Sequence, residues 1–217
     1  MRIIVTGATG MVGEGVLMEC LENSKVSSIL HIGRKPLDKI HPKLTEYIIS
    51  DFLKLKKDDL KLSGYDACFY CAGISSNGLN EEDYTRITFD TTLHFAKILL
   101  AQNQDMVFNF VSGASTDSSE KGKIMWARVK GKTENALMAL SFKAEYNFRP
   151  GLMKPTKNQT QLKGYNKYIP KLYPILNLFL TGCYIQEIGK AMINAVNIGY
   201  SKKVLEVADI KLLAKNG

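Results

Sequence analysis

The residues best suited to chemistry stand at the start of the chain. Ile3-Ile4-Val5 is a short apolar run. Behind it comes Thr6-Gly7-Ala8-Thr9-Gly10-Met11-Val12-Gly13, which opens an amphipathic stretch through Leu21. A glycine turn between a strand and a helix suits a diphosphate. Gly7 can take the sharp turn, Gly10 lets backbone amides approach the anion, and Gly13 lets the helix pack closely on the strand. The helix N-terminus adds unpaired N–H groups and a partial positive charge. Thr9, Met11 and Val12 complete the expected cradle. A turn with no ligand is the bland alternative, but strand, glycines and helix occur in the order a dinucleotide site needs.

About 20 residues further on, a dinucleotide with a free 2′-hydroxyl meets an Asp or Glu. No acid lies between Val26 and Leu37, and the second strand instead ends His31-Ile32-Gly33-Arg34-Lys35. An acid there would repel a 2′-phosphate, whereas the Arg34 guanidinium can grip one with its two-pronged fork. Arg34 and Lys35 therefore point to NADP(H) ahead of NAD(H), with a solvated basic loop as the alternative.

Positioning these groups takes alternating elements. Strand-like runs at Ile29 to Ile32, Tyr47 to Ile49, Ala67 to Tyr70, Met106 to Val111 and Tyr146 to Phe148 alternate with helical patterns, among them 81–101 and 123–140. Such βαβ alternation implies an α/β fold: a Rossmann-like, doubly wound parallel sheet with helices on both faces. Beyond Arg149-Pro150-Gly151 the texture changes. The stretch 146–186 carries no Asp or Glu but has Arg149, Lys154, Lys157, Lys163, Lys167 and Lys171. It reads as a small lobe at about 152–217, over the edge of a core at about 1–151, within one domain. Its charge can attract a phosphorylated or carboxylated small-molecule substrate, or be merely solvated.

The whole chain has 217 residues, 45% of them hydrophobic, and a net charge of +8. That balance excludes a mostly disordered protein. The longest greasy stretch, 173–185, is broken by Pro174, Asn177, Thr181 and Gly182, so no membrane span is expected. The N-terminus runs straight into a strand, unlike a secretory signal, and a cytoplasmic location is expected. The basic residues are dispersed and follow no recognised motif, which argues against nucleic acid. Cys68 and Cys71 form a C-x-x-C, but on a strand their side chains face opposite ways. With Cys20 and Cys183 they are expected as reduced thiols, and His31, His41 and His94 show no ligand spacing, so no metal is expected.

The glycine loop, Gly33-Arg34, Ser50-Asp51-Phe52, Cys71-Ala72-Gly73, Val111-Ser112-Gly113 and Arg149-Pro150-Gly151 occur in an order that resembles the short-chain dehydrogenase/reductase superfamily. The resemblance is to its extended and atypical branches, the NAD(P)-dependent epimerase/dehydratase and NmrA-like proteins. It covers residues 1 to about 151. It implies that Asp51 and Phe52 border the adenine, that Cys71, Ala72 and Gly73 line the ribose, and that Pro150, Gly151 and Leu152 border the nicotinamide. It also implies an oxidoreductase with Ser, Tyr and Lys, the last two as Y-x-x-x-K on one helix face.

This chain reads Trp126-Ala127-Arg128-Val129-Lys130, with Ser112 in the serine's place. An indole N–H donates a hydrogen bond but does not ionise usefully, so Trp126 cannot be the usual acid. Three readings stay open. The chain transfers hydride with another proton donor (Ser115, Thr116, Tyr84 or a lysine-bound water), it binds NADP(H) as a sensor or regulator, or Trp126 lies on a shifted helix. Thr88 stands where relatives often carry Asn. The family also implies a homodimer through the two long helices.

Overall fold

Strand β1 (Arg2–Thr6) lies inside a seven-stranded sheet because both its faces are greasy: Ile3, Ile4 and Val5 are fully buried. A strand covered on both sides needs such an uninterrupted apolar run. The computed structural model describes residues 1–162, 173 and 181–216. The glycine loop leads into α1 (Met11–Glu22), followed by β2 (Ser28–Gly33), β3 (Leu44–Ile48) and β4 (Ala67–Tyr70). Next come α2 (Glu81–Thr85), α3 (Thr91–Gln102), β5 (Val107–Val111), α4 (Met125–Met138) and β6 (Ala144–Arg149). A short pair, β7 (Leu152–Lys154) and β8 (Gly182–Tyr184), is followed by α5 (Ile185–Ile198), β9 (Val204–Glu206) and α6 (Val207–Lys215).

The main sheet runs β3-β2-β1-β4-β5-β6-β9, and every adjacent pair is parallel. Chain order reverses between β1 and β4, so the carboxyl ends of those strands flank a crevice at the switch point. The expected doubly wound architecture is the observed one. One face carries α1, α5 and α6 over Ile3, Val5, Ile29 and Phe148. The other carries α3 and α4 over Ile4, Leu30, Phe108 and Phe110.

Three features differ from the sequence expectation. The single helix over 81–101 is α2 and α3 joined by a π turn, Arg86–Asp90, which widens the spiral under Thr88. The β7–β8 pair lies outside the main sheet. Residues 185–216 are also less separate than a small lobe would be. β9 extends the main sheet, and α5 packs on α1 at a glycine contact. A Cβ on Gly189 would stand 2.8 Å from the Glu19 Cβ, and one on Gly15 would strike Ile185. Lys163, Lys167 and Lys171 of the basic stretch lie outside the described residues. Among the described residues no helix is long and apolar enough to cross a membrane.

Candidate functional site

The glycines of the first loop divide by what surrounds them. Gly7 has φ +72°, and a Cβ on it would stand 2.5 Å from the Cys71 carbonyl, where the ends of β1 and β4 meet. A Cβ on Gly13 would fall on the Gly7 carbonyl oxygen. The fold itself demands these two. Gly10 is different. Its N–H donates to Gly7 O at 2.9 Å and it caps α1, yet the nearest atom to a Cβ there is 3.4 Å away, on the exposed side. Among the described residues, nothing lies within 4 Å of a Cβ on Gly73. The packing of the described residues gives no reason for Gly10 or Gly73. Both positions leave the backbone open to close approach by a ligand. Thr9, Met11 and Val12 are half-buried beside Gly10.

At the end of β2, Arg34 and Lys35 are exposed, and neither side chain pairs with another among the described residues. Asp51 accepts the Leu53 N–H at 2.9 Å, capping a 3-10 turn, and stays half-open. Phe52 is a core residue, edge-on to Phe95 at 5.3 Å between ring centres, so its ring cannot form a broad adenine wall. Cys71 and Ala72 are half-buried, and the Ala72 N–H donates to Thr6 Oγ1. Burial pushes the Cys71 thiol up to about 12, so it stays protonated. Cys68 belongs to the opposite core face, and all four cysteines are free thiols.

At the other end of the crevice, the Ser112 N–H donates to Phe148 O, and its Oγ lies 3.1 Å from Thr116 Oγ1. Thr116 donates its own proton to Gly113 O at 2.8 Å, so the Ser112 hydroxyl is the donor of that pair. Trp126 and Lys130 are one turn apart on α4. The Trp126 ring lies 3.8 Å from the place a Gly113 Cβ would occupy, so the indole stands against the Ser112–Gly113 turn. Lys130 Nζ reaches Val111 O at 3.4 Å and lies 5.4 Å from the Phe110 ring centre. Burial lowers its pKa to about 8, against the pull of Glu134. Pro150 O accepts the Ala114 N–H, Gly151 admits no side chain because Thr181 O is there, and the Leu152 N–H donates to Thr181 O. Of the other proton donors considered, Ser115 is exposed with φ +67°, and Tyr84 is buried, which pushes its phenol up.

One part of the crevice has no local sequence signal. Glu14, in the first turn of α1, accepts from Thr160 N at 2.8 Å, Thr160 Oγ1 at 2.7 Å and Gln161 N at 2.8 Å. Gln159 Nε2 donates to Met11 O at 2.6 Å. A strap of residues 156–161 is thereby fastened beside the glycine loop. Its partners lie about 146 positions away in sequence, beyond the reach of any spacing argument. Among the described residues no group of three or more His, Cys, Asp or Glu is placed to hold a metal.

No protein-family profile matches the chain. Among curated proteins it is similar to "Protein HTATIP2" of Rattus norvegicus, at 27% identity over 154 residues. That is 70% of this chain and 62% of the relative, so the chain spans about three fifths of that protein. It is also similar to "Protein FMP52, mitochondrial", at 23% identity from Debaryomyces hansenii (74% of this chain, 70% of the relative). The Kluyveromyces lactis FMP52 is 26% identical over 98% of this chain and 97% of the relative. Among solved structures, MoeE5 in complex with UDP-glucose and NAD superposes with a TM-score of 0.69 at 15% identity, covering 95% of this chain and 75% of that one. A UDP-N-acetylglucosamine 4-epimerase from Methanobrevibacter ruminantium gives 0.69 at 19%, covering 94% and 75%. The expected cytoplasmic location is overturned by the FMP52 relatives, which are named mitochondrial.

Proposed function

We propose that this chain, which has the fold of the extended short-chain dehydrogenase/reductases and resembles their epimerase/dehydratase branch, binds NADP(H) and acts as an oxidoreductase or epimerase-like enzyme with a non-standard active site. The observation that carries the reading is the pair Gly10 and Gly73: each lacks a side chain where the atoms of the described residues leave room for one. The α1 N-terminus and the Gly10 loop would hold the diphosphate. The Arg34 and Lys35 side chains, exposed beside it, would take the 2′-phosphate, and Lys130 the nicotinamide ribose. The dinucleotide supplies a hydride donor or acceptor when bound.

The chain's own residues have to handle the proton. Ser112 can orient a carbonyl oxygen if its hydroxyl turns away from Thr116. With the tyrosine replaced by Trp126, the ionisable group one turn along is Lys130. Its ammonium, lowered to about 8 by burial, gives up a proton near neutral pH far more readily than an ordinary lysine. A small anionic substrate is the class that Lys154 and Lys157 in the C-terminal segment favour. A homodimer through α3 and α4 belongs to the same reading.

A second reading, an NADP(H)-binding sensor with little or no turnover, is favoured by Trp126 itself. Calorimetric titration separates the binding claim from the catalytic one. NADPH should bind about ten- to a hundred-fold more tightly than NADH, and Arg34→Ala should erase the difference, as expected for one charge-assisted contact of about 1.5–3 kcal/mol. Equal affinities in the wild type refute NADP(H) preference. Normal NADPH binding without turnover of any carbonyl substrate selects the sensor.

A further inference from the structure

His31 stands two residues before Gly33 on the same face of β2 and is completely buried. Its Nδ1 lies 3.1 Å from Oε2 of Glu46, the residue directly opposite in the β2–β3 pairing. That same carboxylate oxygen accepts the backbone N–H of Leu37 at 2.9 Å. Residues 33–37 thus form a short loop with one end fixed in β2 and the other tied to Glu46. The far edge of the imidazole fills the room of a Gly33 side chain: a Cβ there would stand 2.7 Å from both Cε1 and Nε2. Among the described residues Nε2 has no hydrogen-bond partner. Burial lowers the His31 pKa, although Glu46 pulls the other way. The ring is therefore neutral at pH 7, with its proton on Nδ1 facing the carboxylate.

Both residues act on the loop that carries Arg34 and Lys35. Arg34 and Lys35 are exposed on this loop, and long cationic side chains on an untethered loop lose affinity to the entropy of ordering both. Fastening Leu37 fixes the backbone from which they extend. The ring also keeps any side chain off Gly33, the last residue of β2, where an NAD-type site would carry its acid.

We propose that the His31–Glu46 pair is the positioning device for 2′-phosphate selection, holding the 33–37 loop so that Arg34 and Lys35 meet the phosphate and keeping an acid out of position 33. This rests on the assignment of Arg34 given above. It concerns different residues and can fail separately.

The test is calorimetric titration with NADPH and NADH of the wild-type protein and of Glu46→Ala, Glu46→Gln, His31→Phe, Arg34→Ala and Glu46→Ala/Arg34→Ala. Glu46→Ala should reduce the NADPH preference about tenfold, the equivalent of one lost hydrogen bond, with NADH affinity held within about twofold on the same scale. Glu46→Gln keeps an acceptor for Leu37 and should retain most of the preference. His31→Phe keeps an aromatic ring against Gly33 but loses the Nδ1 donor, and should fall between the two. In the Arg34→Ala background the Glu46 change should have no further effect on the preference.

If Arg34→Ala abolishes the preference while Glu46→Ala and His31→Phe leave it untouched, the positioning inference is overturned and the Arg34 assignment stands. Equal loss of both cofactors in Glu46→Ala and His31→Phe also overturns it, leaving the pair a mere structural support. An unchanged preference in Arg34→Ala removes the Arg34 assignment and the inference with it.

Discussion

Glycines that look alike in the sequence differ sharply in what enforces them. Gly13→Ala must push a methyl into the Gly7 carbonyl, and overpacking of that kind costs about 1–3 kcal/mol. Gly10→Ala meets only ordinary contact at 3.4 Å. We expect Gly13→Ala to lower the melting temperature, and Gly10→Ala to leave it nearly unchanged while weakening dinucleotide binding. Differential scanning fluorimetry with and without NADPH checks both, and a Gly10→Ala protein that binds as tightly as wild type contradicts the assignment of that loop. Trp126 allows a second residue-scale expectation. Trp126→Tyr places an ionisable phenol one turn from Lys130, against the Ser112–Gly113 turn. General acid catalysis contributes about 10²–10⁴-fold, so NADPH-dependent reduction of simple aldehydes should rise measurably. Trp126→Phe should leave cofactor binding intact. No gain in Trp126→Tyr, with NADPH bound normally, means the indole marks a site built for something other than carbonyl reduction.

Among the elements, β6 has the least expected interior. Its alternate residues Glu145, Asn147 and Arg149 point under α4, where Arg149 pairs with the buried Glu134 and also reaches Ser118 and Glu206. Glu145 is buried, its carboxylate oxygens have no hydrogen-bond partner of good geometry among the described residues, and burial raises its pKa to about 8 against the pull of Lys203 and Asn147. The folded state therefore holds this proton more tightly than the unfolded chain does. Stability contributed by the protonated form is complete below the ordinary glutamate pKa and is lost as pH rises toward 8. The loss amounts to at most about 5 kcal/mol, less whatever the surroundings recover by relaxing. Glu145→Gln should flatten the fall in urea-unfolding stability between pH 5 and 9 and be the more stable protein at the alkaline end. Parallel pH curves for the two proteins would refute this. The composition of β6 hid this arrangement, because Tyr146 and Phe148 alone announce a strand while its polar face looks solvent-exposed in sequence. The strands of the sheet centre were legible for the opposite reason: with both faces buried, their residues are apolar without interruption. The helix expected over 81–101 was read by its apolar spacing, but a π turn inserts one residue without removing the pattern around it. The β7–β8 pair is three residues long on each side and joins positions about 30 apart, too short and too distant for periodicity to reveal.

For the molecule as a whole, the strand, glycine loop and helix at the start of the chain were readable because one continuous segment supplies them. Parts assembled from distant segments were not, and the clearest case is the strap on Glu14. Burial raises the Glu14 pKa, but hydrogen bonds from Thr160, Gln161 and Gln159 outweigh it and hold the carboxyl below its usual value. The strap's hold is thus present above the ordinary glutamate pKa and is lost as pH falls through the lower, folded value. Glu14→Ala should bring that loosening to neutral pH, seen as faster limited proteolysis on the C-terminal side of residue 154. An unchanged cleavage rate would show that the strap is held by other contacts. The attachment has a further consequence, because Glu14 and Met11 lie in the first turn of the helix whose end would face the diphosphate. A ligand that holds the strap down and one that steadies the helix end act through the same contacts, at Glu14 and Met11, so each favours the other by the same factor. Substrate added at saturating concentration should tighten the dinucleotide as much as the dinucleotide tightens substrate, and cutting the Glu14 contact should reduce both gains together.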